Sequence, residues 1–142
     1  MATVNQLRSR LTALNVKDVS FRSVEETKEE ITQIQREQMF QGLNAEGKKI
    51  GRYRSNKYAR AKNEMNPLPG LGIPDLNLTG AFYAKMETDV TPEVFKSFSK
   101  DEKNAALTEK YDPFGLNKES KSEYAGKLRP VFIKNVKEKL KL

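Results

Sequence analysis

Seven lysine and arginine side chains fall between positions 48 and 62, with no acidic residue among them. These seven cations are Lys48, Lys49, Arg52, Arg54, Lys57, Arg60 and Lys62. Cations at this density suit a phosphate backbone because they release its condensed counterions, and the rings of Tyr53 and Tyr58 can stack on exposed bases. The segment predicts contact with nucleic acid or with an acidic partner. A solvated face or a protein interface is the alternative, since no groove-reading motif is present.

Carboxylates are the other candidates for chemistry, because a pair of them can transfer protons or hold a magnesium ion. Four are close together, at Glu25, Glu26, Glu29 and Glu30. Lys28 lies among them, and acids are favourable in the first turn of a helix, so a solvated helical face is the simpler interpretation. Asp75 is interpreted as a turn or cap residue, and the glycines between positions 42 and 72 as turn residues.

The composition removes several classes of reaction. The chain has no cysteine and no histidine, so it has neither thiolate chemistry nor the usual general base and metal ligand. No nucleophile-and-base pattern, phosphate-binding loop or dinucleotide fingerprint is present. We therefore expect a protein that is not an enzyme and that uses no cofactor or metal.

Length and charge limit the number of domains and the kind of partner that the chain can have. With 142 residues and a net charge of +7, it is predicted to form a single domain over 1–142 that attracts anionic partners. No apolar run approaches the roughly 18 residues that a membrane span requires, and no signal peptide is recognisable. A soluble, unexported protein without membrane contact is expected.

Apolar spacing and capping residues predict the N-terminal elements. A helix over about Thr3–Leu14 is predicted, because its apolar residues lie on one stripe: Val4, Leu7, Leu11 and Leu14. Ser23 and Glu26 form a capping-box pattern, which predicts a second helix from Ser23 to about Gln41, stopped by Gly42.

Breaker residues dominate the middle of the chain. Between Gly42 and Gly80 the chain is predicted to be mostly loop, with one short helix from a Ser55 cap to about Asn63. The proline-rich part, at about 64–78, is predicted to be flexible or ordered by a partner.

Strand and helix signals alternate in the C-terminal half. Thr79 is a candidate cap for a single helical turn that leads into a strand through Tyr83 to Val90, and 94–98 is a second, antiparallel strand. A helix capped by Asp101 runs to Tyr111. The last helix follows Asn117, with a kink or break at Pro130. The pattern as a whole predicts an α+β fold: two N-terminal helices, a long central loop region with a short helix, a small antiparallel β element and C-terminal helices.

Three stretches of the sequence resemble small virion-morphogenesis proteins of tailed phages. The run from Gln41 to Tyr53, followed by Tyr58, is of the type "glycine, short turn, tyrosine, lysine-rich helix". The run from Asp75 to Phe82 is similar to an "L-x-x-T/S-G-x-hydrophobic" element that follows it in neck, head-tail joining and tail-completion proteins. The run from Lys110 to Leu116 looks like the closing segment of similar proteins from phages of Bacteroides-type bacteria.

The resemblance implies a structural subunit of the virion, assembled in the host cytoplasm into a connector or tail-completion ring. Its partners would be copies of itself and neighbouring connector or tail proteins. Val94, Phe95 and Phe98 would then supply contacts between subunits, and the basic segment would face packaged double-stranded DNA or an acidic neighbouring ring. A stand-alone, basic nucleic-acid-binding module is the alternative function.

Overall fold

A computed structural model describes residues 2–77 and 80–142 of the chain. Its elements in chain order are α1 (Val4–Ala13), α2 (Val16–Glu26), α3 (Lys28–Phe40), α4 (Asn56–Met65), α5 (Ala81–Ala84), β1 (Met86–Val90), β2 (Phe95–Ser99), α6 (Asn104–Tyr111) and α7 (Lys118–Leu140). The predicted α+β class, with helices at both ends and a small antiparallel sheet, is confirmed.

The first helix forms where its apolar spacing predicts it. The Thr3 side chain accepts a hydrogen bond from the backbone N–H of Gln6, and the Gln6 side chain accepts one from the backbone N–H of Thr3, so the two residues form a capping box. The helix ends at Ala13, one residue before the predicted end.

The predicted start of the second helix, at Ser23, is wrong. Asn15, rather than Ser23, caps α2, and Ser23 is buried inside the helix, where its hydroxyl donates to the carbonyl of Val19 at 2.7 Å. Ser23 thus has the backbone of a helix interior, and its Oγ accepts from the side-chain amide of Asn135 at 2.9 Å rather than from a backbone N–H of a first helical turn. Thr27 then separates α2 from α3, and its hydroxyl donates to the carbonyl of Ser23 at 2.8 Å.

The main core lies where α3 packs against α7. Buried Ile31 and Ile34 of α3 meet Tyr124 of α7, with Leu116 just before α7. The helix α3 ends before Gly42, as predicted, because the left-handed backbone of Gly42 (φ 72°) suits the position after a helix.

The last helix is longer and more continuous than predicted. Asn117 caps it as expected, its side chain accepting from the backbone N–H of Ser120 at 2.9 Å. Pro130 lies inside the helix, so the predicted break there is wrong, and the alternative, a kink, stays a prediction. The carbonyl that lacks a partner because of Pro130 belongs to Gly126, and both residues are exposed to water.

The sheet is a single hairpin over the α3 face. Met86 pairs with Ser99 and Val90 with Phe95, in antiparallel register. The first strand alternates between buried and exposed residues, and its buried Thr88 is hydrogen-bonded to Thr32 of α3 at 2.7 Å. The hairpin is therefore held to α3 by a polar contact as well as by apolar area.

Two boundaries around the hairpin differ from the predictions. Tyr83 lies in α5 rather than in a strand, and the candidate cap Thr79 lies outside the described residues. Asp101 is not the cap of α6, which begins at Asn104. Its carboxylate instead accepts from the backbone N–H of Lys103 at 3.0 Å and so closes the turn before the helix. A second apolar cluster, of Met39, Phe82 and Met86, lies beneath α5 and the hairpin.

None of the helices in the described part of the chain combines the length and the apolar character that crossing a membrane requires.

Candidate functional site

The basic segment is positioned by α4, and this helix turns one of the seven cations inward. Ser55 caps the helix, as predicted, by accepting from the backbone N–H of Tyr58 at 3.2 Å. Ala59 and Lys62 are its buried residues. Because residues three apart share a helical face, Lys62 follows Ala59 into the interior.

The other six cations are exposed. They are Lys48, Lys49, Arg52, Arg54, Lys57 and Arg60. Among the described residues, Lys48 alone of these six forms an ion pair, with exposed Glu46 at 3.2 Å. The solvent-facing cationic surface that the sequence predicts therefore consists of six residues, and Lys62 is not part of it.

Lys62 forms a buried ion pair that the sequence does not predict. Its Nζ lies 2.9 Å from Oδ1 of Asp75 and donates to the backbone carbonyl of Asn77 at 2.7 Å. Both charged side chains are less than a tenth exposed. Two charges removed from water need each other, because either one left alone would be a large desolvation cost.

Asp75 also joins three parts of the chain. Its Oδ2 accepts from the side-chain amide of Asn66 at 2.9 Å, and its Oδ1 accepts from the backbone N–H of Asn77 at 3.0 Å. The same Asn66 amide donates to the carbonyl of Phe40 at 2.8 Å. The ends of α3 and α4 and the proline-rich loop are thereby held together. These contacts are within the chain, and the ordering of the loop by a partner stays a prediction.

Two tyrosines surround this ion pair. The Tyr83 hydroxyl donates to the backbone carbonyl of Asp75. Burial, and next the negative charge of Asp75, raise the pKa of Tyr83 far above its ordinary value. The same two causes raise the pKa of Tyr53. Both hydroxyls therefore stay protonated to a higher pH than a free tyrosine, and that of Tyr83 acts as a hydrogen-bond donor.

A cleft of about 370 Å³ lies beside the ion pair, and we call it the aromatic cleft. Its lining includes Tyr53, Arg54 and Tyr58 from the basic segment, and Lys103, Lys110 and Tyr111 from the C-terminal half of the chain. The rings of Tyr53 and Tyr58 meet edge to face at 4.9 Å, and Nζ of Lys110 lies 5.0 Å from the centre of the Tyr111 ring. Cations and aromatic rings from distant parts of the sequence are thus brought together.

Gly51 allows the ring of Tyr111 to lie close to the backbone just before Tyr53. A Cβ atom at this position would lie 2.8 Å from ring carbons of Tyr111, closer than such contacts occur. A side chain at position 51 would therefore push Tyr111 away. The glycine of the Gly-Arg-Tyr run, read from the sequence as a turn residue, has a packing role at this site.

The residues predicted for subunit contacts have different environments. Val94 is about half exposed at the hairpin turn. Phe95 packs against the chain's own core, with its ring 5.8 Å from that of Tyr124, and Phe98 is half-buried. Of the three, Val94 offers the most surface to a neighbour.

The carboxylates of α2 and α3 lie on a largely solvated face, as predicted. Glu25, Glu26 and Glu29 are exposed. A hydrogen bond from Arg22, at 3.0 Å, is the first cause that lowers the pKa of Glu26. Within residues 2–77 and 80–142, no group of three acidic side chains is arranged to hold a metal ion.

The sequence did not predict the part of the cleft that is formed by the C-terminal half of the chain. Lys103, Lys110 and Tyr111 are about fifty residues from Arg54 in the chain, and no local pattern connects them. For Lys62 a signal was available, since its spacing of three from Ala59 places it on the apolar side of α4.

Comparison of the chain with protein-family models, with curated proteins and with solved structures finds no match in any of the three.

Proposed function

We propose that this protein is a structural subunit of a tailed-phage virion that forms part of a neck, head-tail connector or tail-completion ring. The observation that carries the proposal is a pair of unlike apolar surfaces at opposite ends of the molecule. The resemblance of 41–53, 75–82 and 110–116 to phage morphogenesis proteins supports it.

The first of these, the N-terminal apolar surface, consists of Val4, Leu11 and Val16, each more than half exposed. The helix α1 has no buried residue, although its apolar residues are spaced as one stripe. A stripe of this kind normally packs on a core. Here Leu7 and Leu14 are half-buried, whereas Val4 and Leu11 remain more than half exposed in the described chain.

The second, the loop apolar surface, consists of Met65, Leu68 and Leu71, also more than half exposed. It follows the C-terminal end of α4 and lies on the proline-rich loop. Single exposed apolar residues are ordinary, but several on one short segment are typical of a surface that contacts a partner.

Contacts with α7 place these surfaces at opposite ends. Arg10 of α1 donates to the carbonyl of Leu140, at the C-terminal end of α7. The loop is bonded to Phe40, at the end of α3 where Gln38 contacts Asn117 at the start of α7. A helix of 23 residues is about 34 Å long at 1.5 Å per residue.

Unlike surfaces at opposite ends favour head-to-tail contact between copies. When one patch of a subunit binds a different patch of the next, the contacts generate a ring if the rotation closes. A two-fold dimer would instead need a patch that is complementary to itself. The arrangement therefore suits a ring subunit in a virion.

Sedimentation velocity over a range of protein and salt concentrations, with and without double-stranded DNA, tests the proposal. We expect self-association that rises with protein concentration and is unchanged by DNA. A chain that stays monomeric at every concentration would count against the ring contact.

Variants of the two surfaces make the test specific. V4D/L11D removes the N-terminal surface and L68D/L71D removes the loop surface, so each variant alone should remain monomeric. An equimolar mixture should form dimers and stop there, because one intact pair of surfaces remains. N5D/S9D, at exposed polar positions of α1, adds the same charge and should associate like the unmodified chain.

A stand-alone nucleic-acid-binding module is the second candidate. The six exposed cations and the exposed ring of Tyr58 favour it. This function predicts a monomer whose affinity for DNA falls steeply with salt, with a slope set by the number of phosphate contacts. Such a result in the sedimentation experiment would replace the ring proposal.

A further inference from the structure

We propose that the aromatic cleft binds an acidic segment of a neighbouring protein, in which an apolar or aromatic side chain is flanked by aspartate or glutamate. The inference rests on the proposed function, because it names what a neighbouring virion protein presents to this subunit. It concerns a site separate from the two apolar surfaces.

Part of the lining of the cleft is apolar. Leu76, Phe82 and Leu107 line it and also belong to the second apolar cluster of the protein. Their side chains are fixed by packing on one another. A cavity of about 370 Å³ with such a lining is within the usual size range of ligand sites and accommodates a large apolar side chain.

The charges around the cleft are unbalanced. Arg54, Lys103 and Lys110 are exposed, and none of them forms an ion pair with a carboxylate of the described residues. Lys62 is already paired with Asp75. Three free cations around an apolar centre are complementary to an apolar anchor between acids.

The one carboxylate that lines the cleft is already engaged. Oδ1 of Asp101 accepts from the backbone N–H of Lys103, and its Oδ2 lies 3.7 Å from Nζ of Lys85. Asp101 therefore forms no ion pair with the three cations, which remain available to an incoming acidic group.

The shape of the cleft favours a protein segment over duplex DNA. A double helix presents its phosphates on the convex surface of a rod, whose major groove alone is about 12 Å wide. Such a rod cannot enter a concave site of this size. An extended peptide can insert one side chain and leave its neighbours at the charged rim.

Contacts within the chain hold the walls of the cleft in place. The close contact of Gly51 with Tyr111, the edge-to-face rings of Tyr53 and Tyr58, and the Lys62–Asp75 pair hold its walls. A site that is already ordered loses less conformational entropy on binding.

The test uses ¹⁵N-labelled full-length protein and a blocked hexapeptide with a phenylalanine–leucine pair between two aspartates on each side. We expect amide shifts concentrated on α6 and on the residues around Arg54. Replacing the four aspartates by asparagine, or the apolar pair by glycine, should weaken binding by about tenfold or more.

Charge-matched variants locate the site. K103Q/K110Q should weaken binding of the acidic peptide by about tenfold. K57Q/R60Q removes two exposed cations of α4 that do not line the cleft, and should bind the peptide like the unmodified chain. If K103Q/K110Q does not fold, as judged by circular dichroism, R54Q/K103Q replaces it, since it leaves the Lys110–Tyr111 contact intact.

Three results would overturn the inference: equal binding of the aspartate and asparagine peptides, equal losses in the two variant pairs, or stronger binding of a short single-stranded oligonucleotide than of the acidic peptide. None of them depends on self-association. Failure of the cleft proposal is therefore distinguishable from failure of the ring proposal in the sedimentation experiment.

Discussion

The α3–α7 interface and the loop that packs on α4 both bury polar side chains, but they satisfy them differently. Between α3 and α7 the buried polar groups are neutral: Gln38 accepts from the backbone N–H of Asn117, and the hydroxyls of Thr27 and Tyr124 are hydrogen-bonded. Beside α4 the central contact is a charged pair, Lys62 with Asp75.

The difference follows from the apolar area available to each region. The interface of α3 with α7 contains Ile31, Ile34 and Tyr124, so burial of apolar surface stabilises it whatever its polar groups do. The buried residues of the loop are Asn66, two prolines and Asp75. Among its described residues the loop buries no leucine, isoleucine or aromatic side chain fully, and Leu76 is only partly buried against the second apolar cluster. Polar contacts therefore carry a larger share of its stability, and one substitution can remove most of them.

The largest expected effect is therefore that of Lys62→Met. It removes the only cation bonded to buried Asp75 among the described residues, and breaking a buried pair in this way costs about 3–5 kcal/mol. Urea unfolding measures the loss. Arg60→Met, at an exposed position of the same helix, should change the free energy of unfolding by no more than about 0.5 kcal/mol.

The double variant K62M/D75N sharpens this comparison. Because it removes the uncompensated charge as well, it should be more stable than Lys62→Met alone. Equal stability of Lys62→Met and the unmodified chain would show that the ion pair does not hold the loop.

Ile34→Ala tests the helical region. Ile34 is almost fully buried, and truncation of such a side chain costs about 3 kcal/mol through lost burial and the cavity that remains. Ile133→Ala, at a partly exposed position of α7, should cost clearly less. Hydrogen exchange should show the loss at Ile34 across α3 and α7 together, whereas Lys62→Met should raise exchange mainly in the loop and α4.

Gln38→Leu tests the neutral polar contacts of α3. It leaves the backbone N–H of Asn117 and the carbonyl of Gly115 without the Gln38 side chain as a partner, at a cost of about 1–2 kcal/mol. The exposed substitution Gln41→Leu is its control. A loss as large as that of Lys62→Met would contradict the contrast between neutral and charged contacts.

The smallest effect at neutral pH, and one that grows in alkali, concerns Tyr83. Its folded pKa is raised above the unfolded value of about 10, so its contribution to stability is complete below pH 10 and is lost as the pH rises from there toward the folded pKa. Urea midpoints between pH 8 and 11 should therefore fall. In Tyr83→Phe the urea midpoint should fall less steeply with pH. If it falls as steeply as in the unmodified chain, Tyr83 is not the cause of the fall.

Much of the helical framework follows from local signals. Ser55 and Asn117 cap their helices where the sequence predicts, and Gly42 follows the end of α3. Each signal acts within about four residues, so it can be recognised without knowing the fold. The start of α2 was missed because Ser23 resembles a cap, while its hydroxyl in fact bonds to Val19 inside the helix.

The candidate site was only partly predictable. Six of the seven cations are exposed, as a basic surface segment suggests, but the seventh is buried against Asp75, which the sequence presents as a turn residue. Nothing near Lys62 in the sequence specifies that partner, because the loop must first fold back over α4.

By itself, the sequence determined the absence of thiol and imidazole chemistry, the excess of positive charge and the positions of most helices, since all of these depend on residue type or on neighbours within a turn. The tertiary structure alone decided which cation is buried, that Tyr111 approaches Gly51, and that Lys103 and Lys110 line the same cleft as Arg54. These contacts join residues that are far apart in the chain, and they form only when packing of the helices brings their backbones together.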